Sequence, residues 1–293
     1  MTREADGRIL RGPGSGVIIE PSGLILTAEH VVRQATSLQV LLRNGESFPA
    51  RVAGIDRVYD VALIRIETHR PLPTVSLGSS GLLKRRDPVT AFGRAPRRQF
   101  GPTMGTFGEV DLEVRPGVPF LRATAIAWPG DSGGALVNSR GEMVGMIEAF
   151  AASHRDWANS VSLASDAIKS ILRDLHTKRV VRHTWLGIVG ITLTTELSQE
   201  LGLAVHSGVL ILQVAEGGPS ALAGLRGGRA TSSQDIPRGG DVITAVDGRP
   251  AASLGALTAY ILGKHIGDVV VLEVNRDGQV FTTPVVLGES PTL

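Results

Sequence analysis

Short apolar runs separated by glycine, proline and aspartate turns fill the chain from residue 8 to about residue 163. Runs of this length and spacing predict strands of an all-β fold. The first two runs, residues 14–19 and 23–26, flank a Pro-Ser-Gly turn and therefore predict a hairpin.

The periodicity changes at residues 164–175. Ile168, Ile171, Leu172 and Leu175 recur at the spacing of one helix face, which predicts an amphipathic helix with Ser165 or Asp166 near its N-terminal cap. This helix closes a first domain, residues 1–176. A short basic linker, 177–183, leads to a second domain, 184–293.

A serine between glycines stands just before an apolar run, in the segment 129–137. The glycines allow a tight turn and a close approach by a substrate carbonyl. Such a turn can direct the N–H groups of Gly130 and Ser132 to one point, as an oxyanion hole requires. A serine hydroxyl is a weak nucleophile by itself, so catalysis needs a base and an orienting acid from elsewhere in the chain.

Both partners are present. His30 stands at the end of the predicted hairpin, and Asp60 precedes an alternating strand pattern. The chain order His30, Asp60, Ser132 is that of chymotrypsin. In this arrangement Ser132 attacks the carbonyl, His30 transfers the proton, and Asp60 orients His30. Each residue alone also fits an ordinary turn or surface position, but their combination favours catalysis.

The chain resembles the HtrA (DegP-like) family of serine proteases. The resemblance rests on residues 14–18, 24–27, 30–32, 60–63, 130–138 and 141–142 and extends into the second domain. It implies a mainly β fold, with a chymotrypsin-like pair of six-stranded β-barrels followed by an α+β PDZ domain. It also implies an ATP-independent endopeptidase for misfolded or unstructured proteins, with oxyanion donors at Gly130, Asp131 and Ser132.

The chain departs from the family pattern beside the serine. Asp131 stands where the family usually has Asn, and Trp128 introduces a bulky side chain. A buried unpaired carboxylate is costly, so we expect Asp131 to be solvent-exposed or paired with Arg115 or Arg122. These departures leave a second hypothesis open, a catalytically silent protease-like scaffold or chaperone that acts through PDZ peptide binding.

By family position the primary specificity pocket is formed by Ala127, Phe150 and Ala151. It contains no acid, so we expect cleavage after small or medium aliphatic residues.

In the second domain, residues 185–188 resemble the carboxylate-binding loop of HtrA-type PDZ domains. The resemblance implies a groove in which a peptide C-terminus adds as a β-strand. The alternative for any helix residue is a place in the domain core. The expected peptide-binding residues are Trp185, Leu186, Gly187, Ile188, Leu254, Thr258 and Ile261.

Composition excludes several other functions. The formal net charge of +2 is too small to predict nucleic-acid binding. The absence of cysteine excludes a thiolate metal site and a cysteine nucleophile. None of the seven histidines stands in a metal-ligand pair, so we predict no metal and no cofactor.

The sequence also bears on location and assembly. No stretch reaches 18 apolar residues, and residues 1–10 lack the apolar core of a signal peptide. As it stands the sequence predicts a cytoplasmic protein, or a periplasmic or cell-envelope protein if a leader or anchor has been removed. The expected partners are unfolded polypeptides and C-terminal peptides. The resemblance also implies a homotrimer, although no aromatic residue precedes Phe48.

Overall fold

The computed structural model describes residues 14–94, 101–148, 160–229 and 236–291, together with the backbone of residues 2–3 and 9–10. The chain divides into two compact units. The first comprises Met1–Val114 and Pro119–Val181, and the second comprises Arg115–Val118 and Arg182–Leu293. The domain boundaries expected from the sequence, with domains at 1–176 and 184–293 and a linker at 177–183, remain a prediction.

Most of the regular secondary structure of the first unit is β-strand. Its helices are α1 (Glu29–Val32) and α2 (Ser165–Thr177), and a single 3₁₀ turn covers Ser80–Leu82. Its strands are β1 (Thr2–Arg3), β2 (Ile9–Leu10), β3 (Val17–Glu20), β4 (Leu24–Ala28), β5 (Leu38–Leu41), β6 (Ser47–Asp56), β7 (Val61–Ile66), β8 (Pro88–Phe92), β9 (Thr103–Asp111), β10 (Phe120–Ala123), β11 (Ala135–Asn138), β12 (Met143–Ile147) and β13 (Ser160–Ala164).

Within the described residues, strands β3 to β13 form two antiparallel sheets. The first is five-stranded in the order β3-β4-β7-β6-β5, and the second is a closed barrel in the order β10-β13-β12-β11-β8-β9. Strands β1 and β2 pair with each other. The predicted first hairpin is confirmed, because β3 pairs with β4. The resemblance implies six strands in each barrel, but within the described residues the first sheet contains five.

Small side chains occupy much of the closed barrel's interior. Its core contains Ala91, Ala123, Ala125, Ala127 and Ala164 beside larger aliphatic residues. All five residues of β12 and of β13 are buried. Both strands are thus buried on both faces, although β13 carries the hydroxyl groups of Ser160 and Ser162.

The predicted amphipathic helix is confirmed as α2, but its start differs from the expectation. The N-cap is Ala164, without a side-chain capping bond. The Ser165 hydroxyl instead donates to Gly78 O at 2.8 Å, and Asp166 Oδ2 accepts from Gly81 N–H at 2.8 Å. Both side chains therefore anchor the start of the helix to residues 78–81, at and just before the 3₁₀ turn, instead of capping the helix.

The second unit is an α+β domain. Its helices are α3 (Thr195–Leu201), α4 (Pro219–Leu222) and α5 (Leu254–Leu262). Its main sheet has the order β15-β16-β17-β19-β20, with β18 on β17, and β14 pairs separately with β21. The strands are β14 (Thr184–Trp185), β15 (Ile188–Leu193), β16 (Gly208–Val214), β17 (Val242–Val246), β18 (Arg249–Pro250), β19 (Val269–Arg276), β20 (Gln279–Val286) and β21 (Gly288–Glu289).

Helix α5 shares the core of the second unit with the sheet. Leu257 and Ile261 are buried together with Val209, Ile243 and Leu272. Among the helices of the described ranges, none is both long enough and apolar enough to cross a bilayer.

Candidate active site

Strand pairing brings His30 and Asp60 together. β4 runs antiparallel to β7, with Ala28 opposite Val61. The residues that follow β4 therefore lie beside the residue that precedes β7. The Glu29 N–H donates to Asp60 O at 3.0 Å, which continues the pairing by one step. His30, in α1, is thereby placed against the Asp60 side chain.

Asp60 accepts two hydrogen bonds from His30. Its Oδ1 accepts from the His30 backbone N–H at 2.7 Å, and its Oδ2 lies 2.7 Å from His30 Nδ1. Burial of Asp60 acts to raise the pKa of its carboxyl group, but hydrogen bonds from the His30 side chain and backbone outweigh burial and lower this pKa. Asp60 is therefore an ionised acceptor, so Nδ1 carries the ring proton and Nε2 is left as the basic nitrogen.

A second carboxylate beside the pair is neutralised by arginines. Glu29 is buried in α1. Its carboxylate lies 2.6 Å from the Arg33 guanidinium and 3.6 Å from that of Arg57. The hydrogen bond to Glu29 raises the pKa of Arg33 despite its partial burial. Glu29, the residue before His30, thus engages both guanidinium groups.

The segment before Ser132 forms a turn whose shape depends on Gly130. The Asp131 N–H donates to Trp128 O at 2.8 Å, which closes a four-residue β-turn. Pro129 occupies its second position, and Gly130 occupies its third with φ of +102°. These are the residues and the φ sign of a type II turn. The Asp131 N–H, predicted as an oxyanion donor, is used inside this turn, which leaves the N–H groups of Gly130 and Ser132 as the donor candidates.

Asp131 is buried, so the expectation of solvent exposure is wrong. Its Oδ2 accepts from the Trp128 backbone N–H at 2.9 Å, so the acid stabilises the turn from its side chain as well. Arg122, one of its two expected partners, forms an ion pair with Asp111 at 2.6 Å. The Asp131 carboxylate therefore stabilises the turn that precedes Ser132.

Residues ahead of β3 hold the serine loop from the other sheet. The Ser15 N–H donates to Ser132 O at 2.8 Å, and the Ser15 hydroxyl donates to Gly130 O at 2.8 Å. Gly133 has φ of +85°, and a Cβ there would overlap Ser15 O and Thr27 Oγ1. Glycine is thus required at this position by both conformation and space.

The expected specificity pocket is described only in part. Ala127 is buried inside the closed barrel, whereas Phe150 and Ala151 lie outside the described residues.

Sequence reasoning missed Ser160 and Ser162. They pair with the core residues Ala123 and Leu121, so their side chains lie on the same face of the barrel wall as these two. Neither hydroxyl has a hydrogen-bond partner in the described part of the chain.

Sequence reasoning also missed Glu148 as part of this site. Its carboxyl group is buried, and Oε2 lies 4.0 Å from His30 Nδ1. Each of His30, Asp60 and Glu148 offers one potential metal-ligand atom, and these atoms lie within 4.8 Å of one another. Since Nδ1 already donates to Asp60, the arrangement suits proton transfer better than metal binding. An acid directly after an otherwise apolar strand was the available sequence signal.

The predicted peptide-binding residues lie around β15 and α5. The loop between β14 and β15 contains Leu186 and Gly187, whose carbonyl groups accept from Ser220 N–H at 3.1 Å and Ala215 N–H at 2.9 Å. Trp185 ends β14 and Ile188 begins β15. The Leu254 N–H donates to Thr192 Oγ1 at 2.9 Å, which fixes the start of α5 beside the end of β15.

The three helix residues differ in exposure. Leu254 and Thr258 are partly exposed, whereas Ile261 is 3% exposed and packs in the domain core. Ile261 therefore takes the core position that was the alternative for any residue of this helix.

Known proteins match both units. A trypsin-like peptidase domain model matches residues 14–146, and a PDZ domain model matches residues 187–287. The Synechocystis sp. protein HhoA, whose name places it among serine proteases, is 33% identical over 284 residues, covering 92% of this chain and 68% of HhoA. The chain belongs to the HtrA family of serine proteases. The solved structure titled HtrA-type protease AlgW with decapeptide agrees, with a TM-score of 0.76 and 26% identity, covering 96% of this chain and 83% of AlgW.

Membership of the HtrA family confirms the predicted fold class, a trypsin-like β domain followed by a PDZ domain. Another relative is the periplasmic serine endoprotease DegP of Salmonella typhimurium, 31% identical over 284 residues. The alignment covers 94% of this HtrA chain but only 57% of DegP. The chain thus spans less than two thirds of some of its curated relatives.

Proposed function

We propose that this HtrA-family chain is an ATP-independent serine endopeptidase that cleaves unstructured segments of misfolded proteins, and that its PDZ domain binds peptide C-termini. The observation that carries the proposal is the pair of 2.7 Å contacts holding His30 to the buried carboxylate of Asp60. An orienting acid bonded to Nδ1 is what a histidine needs to act as general base for a serine.

The chemistry follows from the protonation of this pair. Nδ1–H donates to Asp60, so Nε2 accepts the proton as Ser132 Oγ attacks a peptide carbonyl. The imidazolium that forms is stabilised by the Asp60 carboxylate and then protonates the leaving amine, which leaves an acyl ester on Ser132. Nε2 next takes a proton from water, the hydroxide attacks the ester, and the proton returns to Ser132 Oγ as the acid product leaves. The reaction consumes water and peptide only, so it requires no nucleotide.

The oxyanion hole is assigned to the N–H groups of Gly130 and Ser132. The positive φ of Gly130 supports this assignment, because the type II turn sets the orientation of the Pro129–Gly130 amide. The Ser132 N–H belongs to the Asp131–Ser132 amide, which the bond from Gly134 N–H to Asp131 O fixes at 2.8 Å. Donors held in this way need no rearrangement when negative charge develops on the substrate oxygen.

For the residue before the cleaved bond we propose a small or medium aliphatic side chain. The buried Ala127 supports this preference. The loose selectivity of an aliphatic pocket, about 1–3 kcal/mol per methylene, suits an enzyme that meets many unfolded sequences.

Peptide binding is assigned to the second unit. β15 stands at one end of its sheet order and so offers an edge for a further strand. The loop carbonyl groups of Leu186 and Gly187 bond within the domain, and we assign the loop N–H groups to the peptide carboxylate. The decapeptide named with AlgW supports a peptide ligand for a related protein.

We infer the cellular location of this chain from its relatives, and its assembly is a prediction. The name of DegP places that protein in the periplasm, which supports the periplasmic alternative and gives no support to a cytoplasmic one. A homotrimer stays a prediction. Sedimentation equilibrium tests it by giving the mass of one chain or of three.

The test is hydrolysis of a chemically unfolded protein without ATP by wild type, Ser132→Ala and the control Ser139→Ala. Ser139 is an exposed serine in the β11–β12 connection. We expect wild type and the control to cleave alike, and Ser132→Ala to lose on the order of 10⁶-fold in kcat. Equal, negligible turnover by all three would instead support the scaffold or chaperone hypothesis.

The peptide site has a separate test. A peptide with a free C-terminal carboxylate should bind at least about tenfold more tightly than the same peptide amidated, because the loop donors lose a charged acceptor. Equal affinities for the two peptides, measured by calorimetry, would contradict carboxylate recognition.

A further inference from the structure

Glu29 begins the short helix that carries His30. Helix α1 has four residues and packs against β4, β6 and β7. A helix of one turn has little stability of its own, so its orientation depends on its contacts with the rest of the domain. The Glu29 N–H donates to Asp60 O at 3.0 Å, and the Glu29 side chain is 1% exposed. The orientation of His30 therefore depends in part on what Glu29 contacts.

The Glu29 carboxylate connects α1 with the segment that carries Asp60. Its Oε2 accepts from Arg33 Nε at 2.7 Å, just after α1, and lies 2.6 Å from Arg33 Nη2. Its Oε1 lies 3.6 Å from Arg57 Nε. Arg57 belongs to the connection between β6 and β7, and Asp60 is the last residue of that connection. One buried carboxylate thus contacts both of the segments that form the His30–Asp60 pair.

The connection between β6 and β7 is itself a well-defined turn. Asp56 Oδ1 accepts from Val58 N–H at 3.0 Å and from Tyr59 N–H at 2.9 Å. A carboxylate that accepts from backbone groups two and three residues ahead fixes the fold of such a turn. Arg57 and Asp60 therefore belong to one rigid segment, and a contact with Arg57 also locates Asp60.

Glu29 acts here as an anion. The guanidinium group is protonated throughout the pH range in which proteins are folded, and a carboxylate that accepts from it is ionised. The hydrogen bond to Glu29 is the largest cause of the raised pKa of Arg33. Arg33 is 48% exposed, so its guanidinium group can change partner without unfolding of the domain.

The nearby alternative partner for Arg33 is Asp60. The charge of Asp60 also acts to raise the pKa of Arg33, which means that the two groups attract each other. Asp60 Oδ2 is occupied by His30 Nδ1 at 2.7 Å, and the ring also faces Glu148 at 4.0 Å. Glu29 therefore competes with Asp60 for a guanidinium group that would disturb the contact between Asp60 and His30.

We propose that Glu29 is a positioning residue of the catalytic triad: its buried carboxylate connects the helix of His30 with the segment of Asp60 and keeps the Arg33 guanidinium group away from the Asp60 oxygens. This inference rests on the proposed triad. An arginine at Asp60 would compete with His30 Nδ1–H for the same acceptor and would offset the charge that stabilises the imidazolium.

The test compares Glu29→Gln, which keeps the shape but removes the charge, with a double variant that also carries Arg33→Gln. The titration midpoint of His30 and the downfield resonance of its Nδ1–H are followed by NMR in the Ser132→Ala background. Values of kcat and KM are measured in the active enzyme. Glu46→Gln is the matched control, because Glu46 is exposed and pairs with Arg70 at 2.7 Å.

In Glu29→Gln we expect the His30 midpoint to fall by about one pH unit or more, because the released Arg33 pairs with Asp60. The Nδ1–H resonance should weaken, and kcat should fall about 10²-fold with little change in KM. The double variant should recover at least half of each loss, and Glu46→Gln should change none of these quantities.

Two results would overturn the proposal. An unchanged midpoint and resonance in Glu29→Gln would assign Glu29 a purely structural role. Losses that are equally large in the double variant would show that Arg33 is not their cause.

A second variant covers the case in which Glu29→Gln fails to fold. Arg57→Gln leaves the buried pair of Glu29 with Arg33 in place and removes only the contact with the segment of Asp60. The Nδ1–H of His30 should then exchange faster with water, and kcat should fall about tenfold. An exchange rate equal to that of wild type would contradict the proposed connection. Because the NMR readouts need no turnover, they separate failure of this inference from failure of the proposed protease function.

Discussion

The backbone and the side chain of Asp60 both help to hold the start of α1, which contains His30. The residue has φ of +56°, a conformation that residues other than glycine seldom adopt. In this conformation its carbonyl group accepts from Glu29 N–H at 3.0 Å while its carboxylate accepts from His30 N–H and Nδ1. Backbone strain of this kind clusters at functional sites, where surrounding contacts hold it in place.

Replacing Asp60 should therefore affect both catalysis and pH-dependent stability. Asp60→Asn keeps the shape but favours the wrong imidazole tautomer, so kcat should fall about 10⁴-fold. The pKa of Asp60 is lowered from its usual 3.8, so the ionised group stabilises the fold above about pH 4, and this contribution is lost as pH falls through the lower folded-state pKa.

Urea unfolding across pH checks the second part. The difference in unfolding free energy between wild type and Asp60→Asn should be steady near neutrality and shrink in acid. A difference that grows as pH falls would contradict a lowered pKa.

Two buried serines of the first unit should respond oppositely to loss of their hydroxyls. Ser162 Oγ has no partner in the described residues, and burial of such a hydroxyl costs about 1–3 kcal/mol. Ser165 Oγ donates to Gly78 O at 2.8 Å and accepts from Ser80 N–H at 3.1 Å. Ser162→Ala should raise the unfolding free energy by about 1 kcal/mol, and Ser165→Ala should lower it by about 1–3 kcal/mol. Equal destabilisation in urea titrations would show that the Ser162 hydroxyl is satisfied.

At the scale of elements, the turn before Ser132 and the pairing of β4 with β7 decide the site. The turn links Trp128 O to Asp131 N–H at 2.8 Å, and its form depends on one glycine with positive φ. The pairing of Ala28 with Val61 decides which side chains follow and precede the two strands. In both cases backbone geometry positions the side chains that take part in the chemistry.

Gly130→Ala should disrupt this turn. A Cβ at φ of +102° costs about 1–3 kcal/mol, so the turn should relax and move the Gly130 N–H away from the oxyanion position. We expect kcat to fall about 10²- to 10³-fold.

The control for this change is Gly141→Ala. Gly141 has φ of +78° and open space around it, so the backbone cost is similar but the serine loop is untouched. Peptidase assays of both variants decide the matter, and an equal loss of kcat in the two would assign the effect to general destabilisation.

The same elements explain what the sequence predicts and what it does not. The hairpin, helix α2 and the His30–Asp60 pair follow from periodicity and from the few residue types that can support serine catalysis. Glu148 and Ser162 do not follow, because their meaning depends on which strands the barrel brings beside the triad. The sequence predicts Asp131 to be either exposed or paired with an arginine, because its actual partner, the Trp128 N–H, is in reach only once the turn has formed.

At the scale of the whole molecule, family membership and local geometry are independent and agree. The HtrA relatives indicate a trypsin-like domain followed by a PDZ domain, at 33% identity in the case of HhoA. The structure holds His30 against Asp60 and the serine loop against Ser15, as catalysis by Ser132 requires. Together they make nucleophilic catalysis by Ser132 the central claim.

The most direct test of that claim is covalent labelling with a fluorophosphonate, followed by peptide mapping by mass spectrometry. In wild type we expect a single stoichiometric adduct on Ser132, since the reagent reports a serine activated by a neighbouring base. In His30→Ala the same adduct should form at a rate lower by several orders of magnitude. The absence of an adduct on Ser132 in wild type, or labelling that proceeds equally fast without His30, would contradict nucleophilic catalysis by Ser132 with His30 as its base.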